Sequence, residues 1–319
     1  MRTRGPNVCV VGDARVEYRI QGANVPTAGV PADAQSYSDL VTGTGVRQAV
    51  ACSHLGAVTV LLCKTGEDAL SGFVHSRLAK EHVRLGSHWR ERGKRTSVHF
   101  VIEDGKGNSL ISRFEGANAF FSSRDVFDST NVVTVAKAVL VSLCIPMESA
   151  SSAIRLAAGA RRHVVLDSAN SSVRLDPDLM KLVDVFFIRK DDVNLWAGSE
   201  AADRDSARIA AERLIWRGAR AVVLDAGNDE KILLEDDREL HLPRYGQGGL
   251  RDPQVTDDLF SAALTVALAE GHSPSEAATF ANAASSLASG PEFHQFPSRQ
   301  AVLELLHRDG IDWESSSAA

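Results

Sequence analysis

Short apolar runs of strand length recur along the chain, and the stretches between them place apolar residues three and four positions apart. A run of four to eight apolar residues is typical of a buried strand, whereas the wider spacing is typical of an amphipathic helix. The predicted strands cover residues 8–11, 58–63, 138–143, 163–167, 183–188 and 221–224. The predicted helices include residues 206–217 and 274–289. Strands that alternate with helices in this way predict βαβ units and a parallel sheet.

Two regions break this alternation, residues 13–42 and residues 95–115. The second contains two strand-like segments, TSVHFVIED and NSLISRF, on either side of a Gly-Lys-Gly turn. Such an insertion predicts a small antiparallel lid beside the parallel core. We expect residues 1–310 to form a single α/β domain that carries both lid elements, and residues 311–319 to be a frayed C-terminal tail.

The composition excludes several classes of protein. Of 319 residues, 44% are hydrophobic and 24% are charged, which are ordinary values for a soluble globular protein. The net charge is −6 and no segment concentrates Lys and Arg, so we expect no nucleic acid as a partner. No apolar stretch approaches the roughly 20 residues of a membrane span, and the first apolar run is too short for a signal peptide. The sequence therefore predicts a cytoplasmic protein without a membrane partner.

The cysteines and histidines do not form a recognisable metal motif. Four cysteines lie far apart within apolar runs, where a thiol behaves as a small hydrophobic group. Ten histidines show neither HxxxH nor HExxH spacing. We expect buried, reduced thiols and no zinc site.

A glycine-rich segment precedes a predicted helix, with Gly43 and Gly45 followed by Arg47 and Ala49. Glycine before a helix is more often a cap or turn than a ligand cradle. The glycine segment becomes a more specific signal when it is taken together with the motifs that follow it in order along the chain. These are Gly66-Glu67-Asp68, Gly116-Ala117-Asn118-Ala119, residues 252–260 and Phe280-Ala281-Asn282-Ala283-Ala284.

This ordered set resembles the ribokinase (PfkB) family of carbohydrate kinases, from VVGD at residues 10–13 to Pro297. The glycine segment is similar to the family motif GGxGxNxA, and residues 252–258 align without a gap with DTxGAGD. The resemblance implies a three-layer α/β/α fold with a mostly parallel central sheet and a small antiparallel β lid. It further implies a kinase that uses ATP and Mg²⁺ to phosphorylate a hydroxyl of a sugar-like molecule. Members are often dimers through the lid, so a homodimer is expected.

The resemblance makes Asp258 the general base, and makes the amides of Val255, Thr256 and Asp257 an anion hole. A hydroxyl needs a positioned base to accept its proton, and a transferring phosphoryl group needs preorganised donors. These three residues replace the Gly-Ala-Gly of the family, and Asp257 adds a negative charge beside the expected anion. Asp258 could also be a helix N-cap before the apolar segment LFSAALTVALA, a role compatible with that of the base.

The substrate positions of the family fall on Glu17, Gly43, Gly45, Arg47 and Asp252. Arg47 stands where the family has asparagine. A guanidinium group suits a carboxylate or a phosphate, which favours an anionic substrate. The alternative is a salt bridge within the lid, to Glu17 or to Glu115.

The nucleotide positions fall on Asp225, Gly227 and Asn282, and the metal position falls on Asp192. Asp192 closes the segment that replaces the N-x-x-E motif of the family, in which Arg189 stands for the asparagine. One carboxylate suffices for Mg²⁺, because this ion keeps waters and substrate phosphates as ligands. A glutamate that binds a substrate hydroxyl in the family is replaced by Cys144.

Two functions therefore remain open. The first is an active kinase, which the retained Asp258, Asp252, Asp192 and Gly227 favour. The second is a catalytically impaired relative that binds a sugar or a nucleotide as a sensor or partner subunit, which the lost glycines of residues 255–257 favour.

Overall fold

The computed structural model describes residues 7–86, 89–169, 175–226, 230–236, 238–243, 252–290 and 292–313. The strands are β1 (Asn7–Val11), β2 (Arg15–Gly22), β3 (Ala34–Thr42), β4 (Val58–Leu62), β5 (Thr65–Gly66), β6 (Arg84–Leu85), β7 (Arg90–Glu91), β8 (Ser97–Asp104), β9 (Ser109–Phe114), β10 (Ala138–Ser142), β11 (His163–Asp167), β12 (Val185–Ile188), β13 (Ala221–Asp225), β14 (Lys231–Glu235) and β15 (Arg238–Leu242). The helices are α1 (Thr44–His54), α2 (Ala69–Lys80), α3 (Ser123–Asp128), α4 (Thr130–Val135), α5 (Met147–Gly159), α6 (Pro177–Met180), α7 (Val193–Ala197), α8 (Arg204–Trp216), α9 (Pro253–Glu270), α10 (Pro274–Ser286) and α11 (Arg299–Arg308). Short 3₁₀ helices cover Gly116–Phe120, Lys190–Asp192 and Phe293–Gln295.

The described residues form a large sheet with the strand order β15-β14-β13-β12-β11-β10-β1-β4-β6. The strands from β13 to β6 pair in parallel, whereas β14 and β15 add an antiparallel edge. The six strands predicted from apolar runs are all in this sheet, and the helices predicted at 206–217 and 274–289 are α8 and α10. The predicted three-layer fold with a mostly parallel sheet is confirmed.

Successive residues of each central strand point to opposite faces of the large sheet and belong to two different hydrophobic clusters. On β1, Val10 packs in the cluster with α1, α9 and α10, whereas Val11 packs in the cluster with α5 and α8. Both residues are fully buried. Burial on both faces explains why these strands are continuous apolar runs rather than alternating ones.

The lid is a second sheet of four strands in the order β3-β2-β8-β9. The outer pairs are antiparallel, as predicted, but the inner pair of β2 and β8 is parallel, because these strands come from separate insertions. One face stacks the ring of Tyr18 against Tyr37 and Phe100, with centroids 6.0 and 5.3 Å apart. Tyr37 is 61% exposed and Phe114 is 52% exposed. A homodimer through this lid stays a prediction.

The C-terminal end of the described chain is packed rather than frayed. The ring of Trp313 lies 4.6 Å from that of Phe280 and 3.9 Å from that of His272, measured between centroids. The predicted frayed tail at residues 311–319 therefore begins no earlier than residue 314, and residues 314–319 lie outside the described part. Among the described helices, none combines the length and the apolar character that crossing a membrane requires.

Candidate active site

The candidate active site lies at the carboxyl ends of the parallel strands. Asp13 follows β1, Asp167 ends β11 and Arg189 follows β12. Helices α1 and α9 pack across the same edge and add Arg47 and Asp258. Ligands of open α/β sheets bind outside the carboxyl ends of the strands, so this edge is the expected place for a site.

Asp258 is fully buried and is held between two arginines. Nε of Arg47 donates to Oδ2 of Asp258 at 2.5 Å, and Nη2 of Arg189 donates to Oδ1 at 2.5 Å. Burial raises the pKa of the Asp258 carboxyl, and the two guanidinium groups oppose that rise. Both carboxylate oxygens are engaged in this conformation, and the role of Asp258 as a general base stays a prediction.

A second buried aspartate, Asp167, completes the network. It accepts two hydrogen bonds from Arg189, from Nε at 2.8 Å and from Nη2 at 2.7 Å. Burial alone would lower the pKa of Arg189, but the charges of Asp167 and Asp258 raise it well above its usual range. Together with Arg47, these residues make two anions and two cations, so the buried charges balance.

Gln48 connects this ion-pair network to the neighbouring elements. Its Nε2 donates to Oδ2 of Asp167 at 2.7 Å and to Oγ of Ser261 at 2.9 Å. Its Oε1 accepts a hydrogen bond from Oγ of Ser142 at the end of β10. The side chain of Gln48 thus fixes α1, α9 and the edge of the large sheet relative to one another.

Helix α9 begins at Pro253, several residues before Asp258. Asp252 is its N-cap, and the Asp252 carboxylate accepts a hydrogen bond from the amide of Gln254 at 2.9 Å. The N-cap interpretation of Asp258 is therefore wrong, because Asp258 lies inside the helix. The amides of Val255 and Thr256 both donate to the carbonyl oxygen of Asp252 at 3.1 Å. An anion hole at residues 255–257 stays a prediction, and it requires this first turn to open.

The charge that Asp257 adds has a cation beside it. Nζ of Lys231 lies 3.5 Å from Oδ1 of Asp257. Burial raises the pKa of Asp257 to about 6, and the charges of Lys231 and Arg189 limit the rise. The repulsion that the sequence predicts between Asp257 and a bound phosphate is thus reduced by a neighbouring lysine.

The metal position predicted at Asp192 lies in the 3₁₀ helix that follows β12. Asp192 is 6% exposed, and Oγ of Ser168 donates to its Oδ2 at 2.5 Å. Its one carboxylate fits a Mg²⁺ ion that takes its other ligands from water and phosphate. Within the described ranges, no three His, Cys, Asp or Glu side chains are grouped so as to hold a metal ion by themselves. The role of Asp192 stays a prediction.

The glycines at the start of α1 permit a close approach of two backbone segments. The amide of Gly45 donates to Oδ1 of Asp13 at 3.1 Å. A Cβ at Gly45 would lie 2.7 Å from backbone atoms of Gly12 and Asp13, and one at Gly43 would lie 2.9 Å from the carbonyl oxygen of Asp13. Gly43 also has a φ of 126°, which disfavours a side chain. Packing therefore explains both glycines, and their contact with a substrate stays a prediction.

A cavity of about 90 Å³ lies between the lid and α1. Three predicted substrate residues, Glu17, Arg47 and Asp252, line it together with Arg15 and Arg19. Glu17 accepts a hydrogen bond from Nε of Arg19 at 2.7 Å. The predicted lid salt bridge of Arg47 to Glu17 or Glu115 is therefore wrong, because Arg47 forms its ion pair with Asp258 among the described residues.

Two of the predicted nucleotide residues lie on elements that do not line the cavity between the lid and α1. Asp225 ends β13, and Asn282 is on α10. Nδ2 of Asn282 donates to the carbonyl oxygen of Pro243 at 2.8 Å, so this side chain holds the chain after β15. Gly227 lies outside the described residues. Nucleotide binding by these three residues stays a prediction.

The comparison with known proteins decides the family. The model of the pfkB family carbohydrate kinases matches residues 6–293. The chain belongs to the pfkB family. This match confirms the resemblance that the ordered motifs indicated.

Ribokinases are among the relatives of this pfkB family member. It is 24% identical to the ribokinase of Mus musculus over 264 residues, which cover 82% of this chain and 81% of that protein. It is also 24% identical to the ribokinase of Haemophilus influenzae over 299 residues, covering 93% and 97%. The structure of Arabidopsis thaliana ribokinase complexed with ribose and ATP aligns with a TM-score of 0.87 at 23% identity, covering 95% of this chain and 99% of that one. This structural alignment shows that the chain has the ribokinase-like fold.

Proposed function

We propose that the protein is an ATP-dependent kinase that transfers the γ-phosphoryl group of ATP to a hydroxyl of a sugar-like small molecule. The observation that carries the proposal is the position of Asp258. It lies next to Arg47, which lines the cavity between the lid and α1. Asp258 does not itself line this cavity, and the side chain of Arg47 lies between its carboxylate and the space where an acceptor hydroxyl would bind. The ribokinase relatives support the same reaction class.

The residues around Asp258 suit a general base of fixed position. Arg189 donates to Oδ1 of Asp258, and the other oxygen, Oδ2, faces Arg47, which lines the cavity. Burial raises the pKa of Asp258, which makes its carboxylate a better proton acceptor than a solvated one. When Mg²⁺ is bound, it supplies positive charge to the phosphates, and Asp192 is the residue that would hold it.

A second candidate function is binding without transfer. Both oxygens of Asp258 are occupied, and the amides of Val255 and Thr256 are used within α9. A protein fixed in this arrangement would bind a sugar or a nucleotide and act as a sensor or a partner subunit. Ligand binding would then raise its thermal stability without release of ADP.

Turnover separates the two functions. We expect the purified protein with Mg-ATP to release ADP with at least one member of a panel of sugars, sugar acids and sugar phosphates. Asp258→Asn should lower this rate about 10²- to 10⁴-fold, because the amide cannot accept the proton. Asp178→Asn is the matched control, since Asp178 lies exposed on α6 and pairs with Lys181.

Two results would contradict the kinase. One is the absence of ADP release with every acceptor, and the other is an Asp258→Asn variant as active as the original protein. A thermal shift with a sugar or a nucleotide in the same samples would then support the binding function.

A further inference from the structure

Two arginines that line the cavity beside the lid each have a buried hydrogen-bond donor that the described residues do not use. Nη2 of Arg47 is buried and has no hydrogen-bond partner among the described residues, and the same holds for Nε of Arg15. The side chain of Arg47 is 7% exposed. A buried charged donor without a partner is destabilising, because it has lost its hydration and gained no hydrogen bond in return. Such donors indicate a ligand that accepts hydrogen bonds from these two arginines.

Three of the four carboxylates that line this cavity, those of Glu17, Asp252 and Glu292, differ from these donors because they have partners. Glu17 accepts from Nε of Arg19, and Asp252 caps α9 through the amide of Gln254. Asp39 is exposed to solvent at the edge of the cavity. The buried unsatisfied groups among the described residues that line this cavity are therefore guanidinium donors, and the complementary ligand is an anion with two or more oxygens, such as a carboxylate or a phosphate.

The remaining bonds of Arg47 show what such an anion would displace. Nη1 donates to Oγ1 of Thr42 at 2.9 Å, and Nε donates to Oδ2 of Asp258. An anion that takes a bidentate bond from Nε and Nη2 competes directly with Asp258. Arg189 would still hold Oδ1 of Asp258, so the carboxylate would keep its position while Oδ2 became free.

We propose that the acceptor substrate carries an anionic group that binds Arg47 in place of Asp258 and thereby frees Oδ2 of Asp258 to act as the base. This inference rests on the proposed kinase function, which it makes specific for anionic acceptors. The freed Oδ2 takes the proton of the acceptor hydroxyl. The hydroxyl oxygen forms a bond to the γ-phosphorus as the bond between that phosphorus and the β–γ bridging oxygen breaks, and ADP leaves with the electron pair.

Charge balance favours this exchange of partners. Asp167, Asp258, Arg47 and Arg189 are neutral as a group, so adding one anion leaves an excess of one negative charge. That excess and the loss of its Arg47 partner raise the proton affinity of Asp258, so its carboxylate accepts the proton of the acceptor hydroxyl more readily, and the negative charge passes to the acceptor oxygen that attacks the γ-phosphorus. A neutral sugar adds no charge and leaves Arg47 on Asp258.

The test compares acceptors that differ in their anionic group. Ribose and glucose are the neutral probes, D-gluconate carries a carboxylate, and ribose 5-phosphate and glucose 6-phosphate carry a phosphate. We expect kcat/KM to be about 10- to 100-fold higher for the preferred anionic probe than for its neutral parent, as one bidentate charge-assisted bond supports. Whether gluconate or the phosphates are preferred separates the two sources of the anion.

Arg47→Asn, which introduces the asparagine of the family motif, should abolish this preference by losing activity on the anionic probe. Arg47→Lys should retain part of it, since the charge remains without the planar fork. Arg208→Asn is the matched control, because Arg208 lies exposed on α8 and pairs with Glu212. Equal kcat/KM for neutral and anionic probes, unchanged in Arg47→Asn, would overturn the inference while leaving the kinase intact.

Binding provides a readout that does not depend on turnover. We expect D-gluconate or ribose 5-phosphate to raise the Tm of the wild-type protein and of Asp258→Asn, but not that of Arg47→Asn. If no acceptor is phosphorylated and this Arg47-dependent shift is present, the kinase proposal fails and the anion site remains. If neither anion shifts the wild-type protein, the anion site is wrong whatever the turnover.

Discussion

The two sides of the candidate active site differ in how their charges are paired. On the deep side, Asp167 takes two hydrogen bonds from Arg189, and both oxygens of Asp258 have a guanidinium partner. On the cavity side, buried nitrogens of Arg47 and Arg15 have no partner among the described residues. Paired buried charges stabilise a fold only as a set, whereas unpaired donors are costly until a ligand uses them. The charges of the deep side are therefore satisfied within the protein in this conformation, whereas the cavity side keeps donors for a ligand.

Removing the shared cation of the deep side should have the largest effect on stability. Arg189→Met would leave Asp167 without a cation and Asp258 with Arg47 alone. We expect the free energy of unfolding to fall by about 3 to 5 kcal/mol, as for other buried pairs that lose one partner. Urea denaturation followed by circular dichroism at neutral pH measures this change.

The control for this variant is Arg208→Met, which removes an exposed arginine of α8 and should change stability by less than about 1 kcal/mol. A loss of the same small size in Arg189→Met would mean that the deep side is not a stabilising network, and the contrast with the cavity side would disappear.

Most of the fold could be predicted from the sequence, because its central strands are buried on both faces. Residues 138–143 and 163–167 are unbroken apolar runs, and they are β10 and β11 in adjacent parallel register. The parallel contact between β2 and β8 could not be predicted, since it joins two insertions that are distant in sequence. Local patterns specify elements, whereas the pairing of remote strands depends on the whole fold.

The candidate site was only partly predictable. The family motifs identified Asp258, Arg47 and Arg189 but could not show that the two arginines share one carboxylate. Asp167 and Gln48 were missed, although Asp167 ends a predicted buried strand at the edge where ligands of such sheets bind. A charged residue at the end of a buried parallel strand was the signal that could have found it.

Asp257→Asn should change the free energy of unfolding in the opposite direction to Arg189→Met, and by a smaller amount. Because burial raises the pKa of Asp257 to about 6, the native state binds its proton more tightly than the unfolded chain does. The wild-type protein therefore loses stability as the pH rises toward 6, and the variant does not. Above that pH we expect Asp257→Asn to be more stable by up to about 3 kcal/mol, with most of the difference lost near pH 4.

Urea denaturation of both proteins at about pH 4 and at about pH 7.5 measures this dependence on pH. Asp178→Asn is the comparison variant, because Lys181 lowers the pKa of the exposed Asp178 instead of raising it. A stability difference that is the same at both pH values would show that Asp257 does not carry a raised pKa in the native state.

Arg47→Met should have the smallest effect on stability of the three. It removes one of the two cations beside Asp258, but it also removes the buried Nη2 donor that has no partner. Arg189 keeps its bonds to Asp258 and Asp167, and Asp258 can take up a proton because burial already raises its pKa. We expect a loss of about 1 kcal/mol in urea denaturation, well below the loss in Arg189→Met. Equal losses of stability in Arg47→Met and Arg189→Met would show that Arg47 is a structural partner of Asp258. They would also remove the reason to assign the unpartnered Nη2 of Arg47 to a ligand.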